Sequence, residues 1–97
     1  MGFKVEYVAG DSVHIELDGE FGLADRQSFI RQLLDMPAAA RYTISLANAT
    51  AIDSSGFGLL LLLRDHASQR AITIQDVPGR IREPLERMNL HRIFDVV

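Results

Sequence analysis

The sequence predicts an α/β fold: a mixed sheet of four to five strands that begins with an antiparallel hairpin and has its helices packed on one face. Two segments near the N-terminus alternate apolar and polar residues, as half-buried strands do. After them, helix-like and strand-like segments follow one another in turn, which is typical of strand–helix–strand crossovers. Such crossovers are right-handed almost without exception, so successive helices are expected on a common face.

The chain is short, and its composition is ordinary for a soluble protein. A chain of 97 residues is long enough for one domain only, so we predict a single domain over residues 1–97. Its net charge is -3. Cysteine is absent, which excludes disulfides and thiolate ligands. The basic residues are scattered, so direct nucleic-acid binding is not expected. The longest apolar run, Leu59–Leu63, is too short for membrane insertion, and we expect a cytoplasmic protein.

The first half of the chain contains two hairpin strands, one helix and a third strand. The strands are predicted at Phe3–Tyr7 and Val13–Leu17, and Gly19–Gly22 ends the second. A helix is predicted over Leu23–Met36, because Pro37 disfavours a helical residue before it. The face of this helix that is predicted to be apolar carries Leu23, Gln27, Ile30, Leu33 and Leu34.

The second half continues with strands and helices in alternation. The third strand, Tyr42–Leu46, is followed by a polar loop at Asn48–Ser55 and by a mostly buried helix from Phe57 to about Ala67. The remaining elements are a strand at Ala71–Ile74, a helix from about Arg80 to Asn89 that contains Pro84, and either a short strand or simple packing at Ile93–Val96.

The most informative segment, Ala51–Leu60, opens the leucine-rich helix. Asp53 or Ser54 can cap that helix through a side-chain oxygen. Gly56 and Gly58 are poor helix formers, and their small size allows a partner protein or a neighbouring strand to approach the backbone. On local chemistry, the same residues also describe an ordinary capped helix.

This segment resembles the signature of bacterial anti-sigma factor antagonists, which have the STAS fold. The matching residues are Ile52-Asp53-Ser54-Ser55-Gly56-Phe57-Gly58-Leu59-Leu60. Weaker matches at Leu17–Phe21 and Met88–Phe94 extend the resemblance over nearly the whole chain. Position 57 is usually leucine or a similar aliphatic residue in that family, so Phe57 is a mild departure that leaves the serine position intact.

The resemblance implies a partner-switching mechanism. The unphosphorylated domain would bind an anti-sigma factor that is also a serine kinase, phosphorylation of Ser54 would abolish that binding, and a phosphoserine phosphatase would restore it. Ser55 is the runner-up for the modified position, because it is adjacent and chemically equivalent. The partner-binding residues that the resemblance implies are Asp53, Ser54, Ser55, Gly56, Phe57 and Gly58.

The sequence offers little support for other functions. His14, His66 and His91 lie in three different elements without ligand spacing. A Ser-His-Asp triad would lack the usual Gly-x-Ser-x-Gly turn around its serine, and no nucleotide-binding glycine loop occurs. We therefore expect no enzymatic activity, no metal and no cofactor. An alternative function is that of a non-catalytic STAS subunit in a lipid-transport or stress-sensing assembly.

Overall fold

The computed structural model describes residues 2–8, 10–38, 40–67 and 72–97. Five strands form one sheet in the order β1-β2-β3-β4-β5. The strands are β1 Phe3–Val8, β2 Ser12–Phe21, β3 Arg41–Ile52, β4 Ile72–Gln75 and β5 Asp95–Val96. The helices are α1 Arg26–Leu33, α2 Ser54–His66 and α3 Gly79–Arg87, with short 3-10 turns at Leu23–Asp25 and Leu90–Arg92.

The sheet topology confirms the predicted mixed α/β architecture. β1 and β2 pair antiparallel as a hairpin, whereas β2 with β3, β3 with β4 and β4 with β5 all pair parallel. Each parallel neighbour is reached through one helix. The apolar sides of the strands and the buried side chains of all three helices form one hydrophobic cluster, so the helices cover a single face, as predicted. Within the described ranges, no helix is long and apolar enough to cross a membrane.

The predicted ends of two strands were wrong, because β2 and β3 continue as a pair beyond them. β2 continues through Gly19 to Phe21, and β3 continues through the predicted loop to Ile52. Gly19 adopts a φ of 68° between two register irregularities, a conformation that glycine reaches without strain. The bulged pairing lets both strands extend to the pair Phe21 and Ile52.

The predicted apolar face of α1 was also partly wrong. Leu33 is buried, as predicted, but Leu23 and Leu34 are 66% and 76% exposed. Phe29, which lay outside the predicted face, is fully buried. The segment starts with a 3-10 turn at Leu23–Asp25, so Leu23 lies before the regular helix and does not follow its period.

Three aromatic rings fix the position of α1 on the sheet. Phe29 packs edge-on against Phe3 of β1 and Phe21 of β2, with ring centroids 5.1 and 5.5 Å apart. Phe3 and Phe21 also contact each other edge-on, at 5.9 Å. Edge-to-face pairs at these separations add to the stabilisation that burial supplies. The aromatic cluster therefore holds α1 over the β1–β2 hairpin.

The leucine run in α2 is mainly core, in agreement with the sequence. Leu59, Leu60 and Leu63 are buried, Leu61 packs partly against the core, and Leu62 is 40% exposed. At the far end of α2, His66 Nε2 lies 2.6 Å from the carbonyl oxygen of Met36, at the end of the α1 segment. Since Leu23 and Asp53 meet at the other end, α1 and α2 run side by side in the same direction.

The last third of the chain follows the prediction with small shifts. Pro84 does lie inside α3, and the turn that follows, with Leu90 and Phe94 buried, leads into the two-residue strand β5. Ala71, the first residue of the predicted fourth strand, lies outside the described residues, and β4 begins at Ile72.

Candidate functional site

The candidate site lies at the end of β3, where the strand becomes α2. The amide of Asp53 donates to the carbonyl oxygen of Phe21 at 3.3 Å, which continues the β2–β3 pairing by one residue. Asp53 is extended, with φ -89° and ψ 179°, and helical structure begins at Ser54. The long β2–β3 pair therefore places the start of α2 directly beside the end of β2.

Asp53 is the residue that caps α2. Its Oδ1 accepts a hydrogen bond from the amide of Gly56 at 2.8 Å, and its carbonyl oxygen accepts one from Phe57 at 3.0 Å. Its Oδ2 accepts a longer bond, 3.3 Å, from the amide of Leu23. One carboxylate thus stabilises the helix start and ties it to the junction between β2 and α1. The sequence left Asp53 and Ser54 open as caps, and the geometry selects Asp53.

Two glycines make this close packing possible. A methyl group added to Gly22 would overlap the Asp53 carboxylate, and one added to Gly56 would lie 2.5 Å from the carbonyl oxygen of Phe21. Gly58 differs, because a Cβ there would meet no described heavy atom within 4 Å. Gly56 is therefore needed for contact with the end of β2, whereas Gly58 leaves the outer surface of α2 open.

The two candidate serines differ in exposure. Ser54 is exposed at the first residue of α2, and Ser55 is partly buried. Because Asp53 supplies the side-chain cap, the Ser54 hydroxyl is not needed to stabilise the helix start. Phe57 is only 2% exposed and belongs to the core. The surface of the motif is therefore formed by Asp53, Ser54, part of Ser55 and Gly58.

A second aspartate, which the sequence did not single out, organises the neighbouring junction. Asp25 is only 6% exposed, and its carboxylate accepts bonds from the amides of Gly2 at 2.8 Å and Gly22 at 3.0 Å. It joins the N-terminal segment to the end of β2. The available signal was an acidic residue three positions after a glycine at the start of a helical pattern, where a carboxylate can bond back to a free amide.

The three histidines are not brought to this site by any described contact. His66 contacts Met36 at the opposite end of α2. His14 lies opposite Glu6 in the β1–β2 hairpin, and His91 is exposed in the turn that precedes β5. Among the residues that the structure describes, no group of three histidine, aspartate or glutamate side chains is arranged to hold a metal ion.

Comparison with known proteins agrees with the observed fold. A family model described as "Mlab, STAS domain" matches residues 7–97. A STAS-domain containing protein of Pseudomonas aeruginosa (strain UCBPP-PA14) is 34% identical over 91 residues, which cover 90% of this chain and 89% of the relative. The structure of the anti-sigma factor antagonist SpoIIAA in its unphosphorylated form is similar in fold, with a TM-score of 0.69 and 17% identity, over 94% of this chain and 96% of that one. The chain belongs to the STAS domain family.

Proposed function

We propose that this protein is an anti-sigma factor antagonist that acts by partner switching and has no enzymatic activity of its own. In its unphosphorylated form it binds an anti-sigma factor that is also a serine kinase; phosphorylation of Ser54 ends the binding, and a phosphatase restores it. The observation that carries this proposal is an exposed serine at the first residue of α2 in a STAS domain, with the helix cap supplied by its neighbour.

Ser54 is a better substrate for a kinase than Ser55. A kinase must reach the hydroxyl from solvent, and only Ser54 has an exposed side chain. Phosphorylation of Ser55 would have to place a doubly charged group at a partly buried position, which costs desolvation energy. This difference in exposure supports the assignment that the family resemblance implies.

The modification should change the surface and leave the fold intact. A phosphoserine carries a charge of about -1.5 to -2 at neutral pH. The amide end of α2 favours an anion there by about 1 kcal/mol or less at an exposed position. The adjacent Asp53 carboxylate repels the phosphate, so the two effects oppose each other. Since the Ser54 hydroxyl does not cap the helix, adding the phosphate breaks no capping bond.

The partner surface that we propose has the exposed part of the motif at its centre. Asp53, Ser54, Ser55 and Gly58 can contact a partner directly, and the open space over Gly58 lets a partner approach the helix backbone. Gly56 and Phe57 are buried; we assign them the role of placing this surface through their contacts with Phe21 and the core.

A capture experiment tests this function. Wild-type protein, Ser54→Ala, Ser54→Asp and the control Ser55→Ala are immobilised and exposed to a lysate of the native host, and bound proteins are identified by mass spectrometry. We expect a serine kinase on all except Ser54→Asp. The recombinant kinase should then transfer phosphate from ATP to wild type and Ser55→Ala, but not to Ser54→Ala. Equal capture by Ser54→Asp, or capture of transporter subunits with no kinase, would refute the switch and favour a structural subunit.

A further inference from the structure

The outer edge of the sheet at β1 offers a second interaction surface. β1 is the first strand in the sheet order, and within the described ranges no strand pairs with its outer side. Tyr7 is 58% exposed and Val8 is 46% exposed on this edge strand. An edge strand with unpaired main-chain groups is a template for pairing with another strand. β2 separates β1 from β3, so this edge is distinct from the surface around Ser54.

The hydrogen-bonding pattern of the hairpin determines which residues of β1 face outward. The amide of Asp18 donates to the carbonyl oxygen of Gly2 at 2.8 Å. In an antiparallel pair the direction of the main-chain groups alternates along the strand. Lys4 and Glu6 therefore direct their amides and carbonyls towards β2. Phe3, Val5 and Tyr7 direct theirs towards the free edge.

The side chains of β1 are complementary to those of an identical strand running in the opposite direction. Phe3, Val5 and Tyr7 lie on the helix-covered face, opposite Leu17, Ile15 and Val13 of β2. Lys4 and Glu6 lie on the other face, opposite Glu16 and His14.

If Val5 pairs with Val5 of a second copy, Lys4 lies opposite Glu6 of that copy on both sides of the two-fold axis. Lys4 is then flanked by Glu16 of its own chain and Glu6 of the other.

Neighbouring registers are disfavoured by charge. A shift of one residue in either strand would turn the apolar side chains of one copy to the opposite face, so registers change in steps of two. One such step sets Lys4 against Lys4 of the second copy, and the opposite step sets Glu6 against Glu6. Like charges directly opposite each other in a sheet are destabilising. In the Val5-centred register, Val5 exchanges both main-chain hydrogen bonds with Val5 of the second copy. The two Lys4–Glu6 pairs then lie at non-hydrogen-bonded positions, where opposing side chains are closest.

We propose that β1 pairs antiparallel with β1 of a second copy of this chain, centred on Val5, so that two five-stranded sheets form one continuous sheet. The interface is isologous, as in most two-fold dimers. It covers the exposed ring of Tyr7 and satisfies the outward main-chain groups of Phe3, Val5 and Tyr7. Two strands of six residues make a small contact, so the dimer is weak and depends on protein concentration.

Charge exchange tests the proposed register. Sedimentation equilibrium of the wild-type protein should show a mass that approaches twice that of one chain as concentration rises. Lys4→Glu and Glu6→Lys each place like charges opposite each other, and we expect each to raise the dissociation constant roughly tenfold. The double variant Lys4→Glu/Glu6→Lys restores opposite charges and should return to within about threefold of wild type. A wild-type mass of one chain at every concentration, or single and double variants that dimerise alike, would overturn the proposal.

Hydrogen exchange of the wild-type protein provides a test that does not depend on any variant folding. The amides of Val5 and Tyr7 point to the free edge of a monomer and should exchange fast in dilute solution. At high concentration both should be protected, while the amides of Lys4 and Glu6 should be slow throughout because β2 already binds them. Exchange of Val5 and Tyr7 that does not change with concentration would contradict pairing at this edge.

Discussion

The two strand-to-helix junctions of this protein each depend on an aspartate, and the two aspartates act in different environments. Asp25, after β2, is buried and accepts bonds from two amides that are distant from each other in sequence. Asp53, after β3, is exposed and accepts one bond within its own helix start and one from the first junction. The buried carboxylate joins distant parts of the scaffold, and the exposed one caps the helix start that carries Ser54, the serine that we propose is phosphorylated. A hydrogen bond from an amide to a carboxylate therefore contributes more to the free energy of unfolding at the junction after β2 than at the junction after β3.

Replacing Asp25 should produce the largest loss of stability. Asp25→Ala leaves the amides of Gly2 and Gly22 without their carboxylate partner in a buried place, and such a loss costs about 2 to 3 kcal/mol. Urea denaturation of the variant measures the change in the free energy of unfolding. The control is Asp35→Ala, an exposed aspartate just after α1, which should change it by less than about 0.5 kcal/mol. Equal effects of the two variants would remove the distinction between the junctions.

The two glycines of α2 should respond to alanine with opposite signs. Gly56→Ala places a methyl group against the Phe21 carbonyl and the Ile52 side chain, and we expect a destabilisation of about 1 to 3 kcal/mol. Gly58→Ala points into open space and should stabilise the helix by up to about 1 kcal/mol. Thermal melts of both variants measure the difference. If Gly58→Ala were as destabilising as Gly56→Ala, the contact with β2 would not be the reason for glycine at position 56.

Loss of the exposed cap should be milder than loss of Asp25. Asp53→Ala removes the bonds to Gly56 and Leu23 and should lower the free energy of unfolding by about 1 kcal/mol. Asp53→Asn keeps an oxygen that can accept the Gly56 bond, so it should retain at least half of that stability. Urea denaturation of the two Asp53 variants measures both changes in the free energy of unfolding. An Asp53→Ala loss larger than that of Asp25→Ala would reverse the proposed division of roles.

The smallest effect on the free energy of unfolding is expected from Tyr42, which lies near the C-terminal end of the α1 segment, and only at alkaline pH. Tyr42 is buried, and its hydroxyl donates to the carbonyl oxygen of Pro37 at 2.5 Å. Burial raises the pKa of Tyr42 above the usual 10.0, and the nearby Tyr7 adds to the shift. The native state thus keeps the Tyr42 proton to higher pH than the unfolded chain does. The contribution of this phenol to the free energy of unfolding is therefore complete below about pH 10 and is lost as pH rises through the raised pKa.

The comparison for Tyr42 is a pair of phenylalanine variants. Tyr42→Phe should reduce the fall in unfolding free energy above about pH 10, whereas Tyr7→Phe, at an exposed position, should change it less. The same titration monitored by tyrosine absorbance should show a phenol with a raised pKa, and this signal should be lost in Tyr42→Phe. Identical slopes for the two variants would indicate that the buried phenol does not contribute to alkaline stability.

The sequence predicted the fold class, the hairpin and the position of the motif, because alternation and helical periods are local signals. It did not predict that residues 48–52 continue β3, since their pairing depends on a bulge at Gly19 in a distant strand. It also placed Leu23 and Leu34 on the apolar face of α1 and omitted Phe29, whose burial depends on the rings of Phe3 and Phe21. These errors share one cause: contacts between residues far apart in the chain determined the local structure.

At the candidate site, the local pattern located the residues but could not rank them. Asp53 and Ser54 are equally good caps by residue type. Only the folded geometry assigns the cap to Asp53, through Gly56 and Leu23, and leaves Ser54 exposed. In the same way, Gly56 and Gly58 are indistinguishable in sequence but differ in surroundings.

The most direct test of the proposed switch is site-resolved phosphopeptide mass spectrometry of the protein isolated from its native host under several growth conditions. We predict phosphate on Ser54, a Ser54→Ala variant that carries none in this peptide, and melting temperatures of the phosphorylated and unmodified forms that agree to within a few degrees. Phosphate on Ser55 instead, or on neither serine under any condition, would contradict the account and leave Asp53 and Ser54 as the start of an ordinary capped helix.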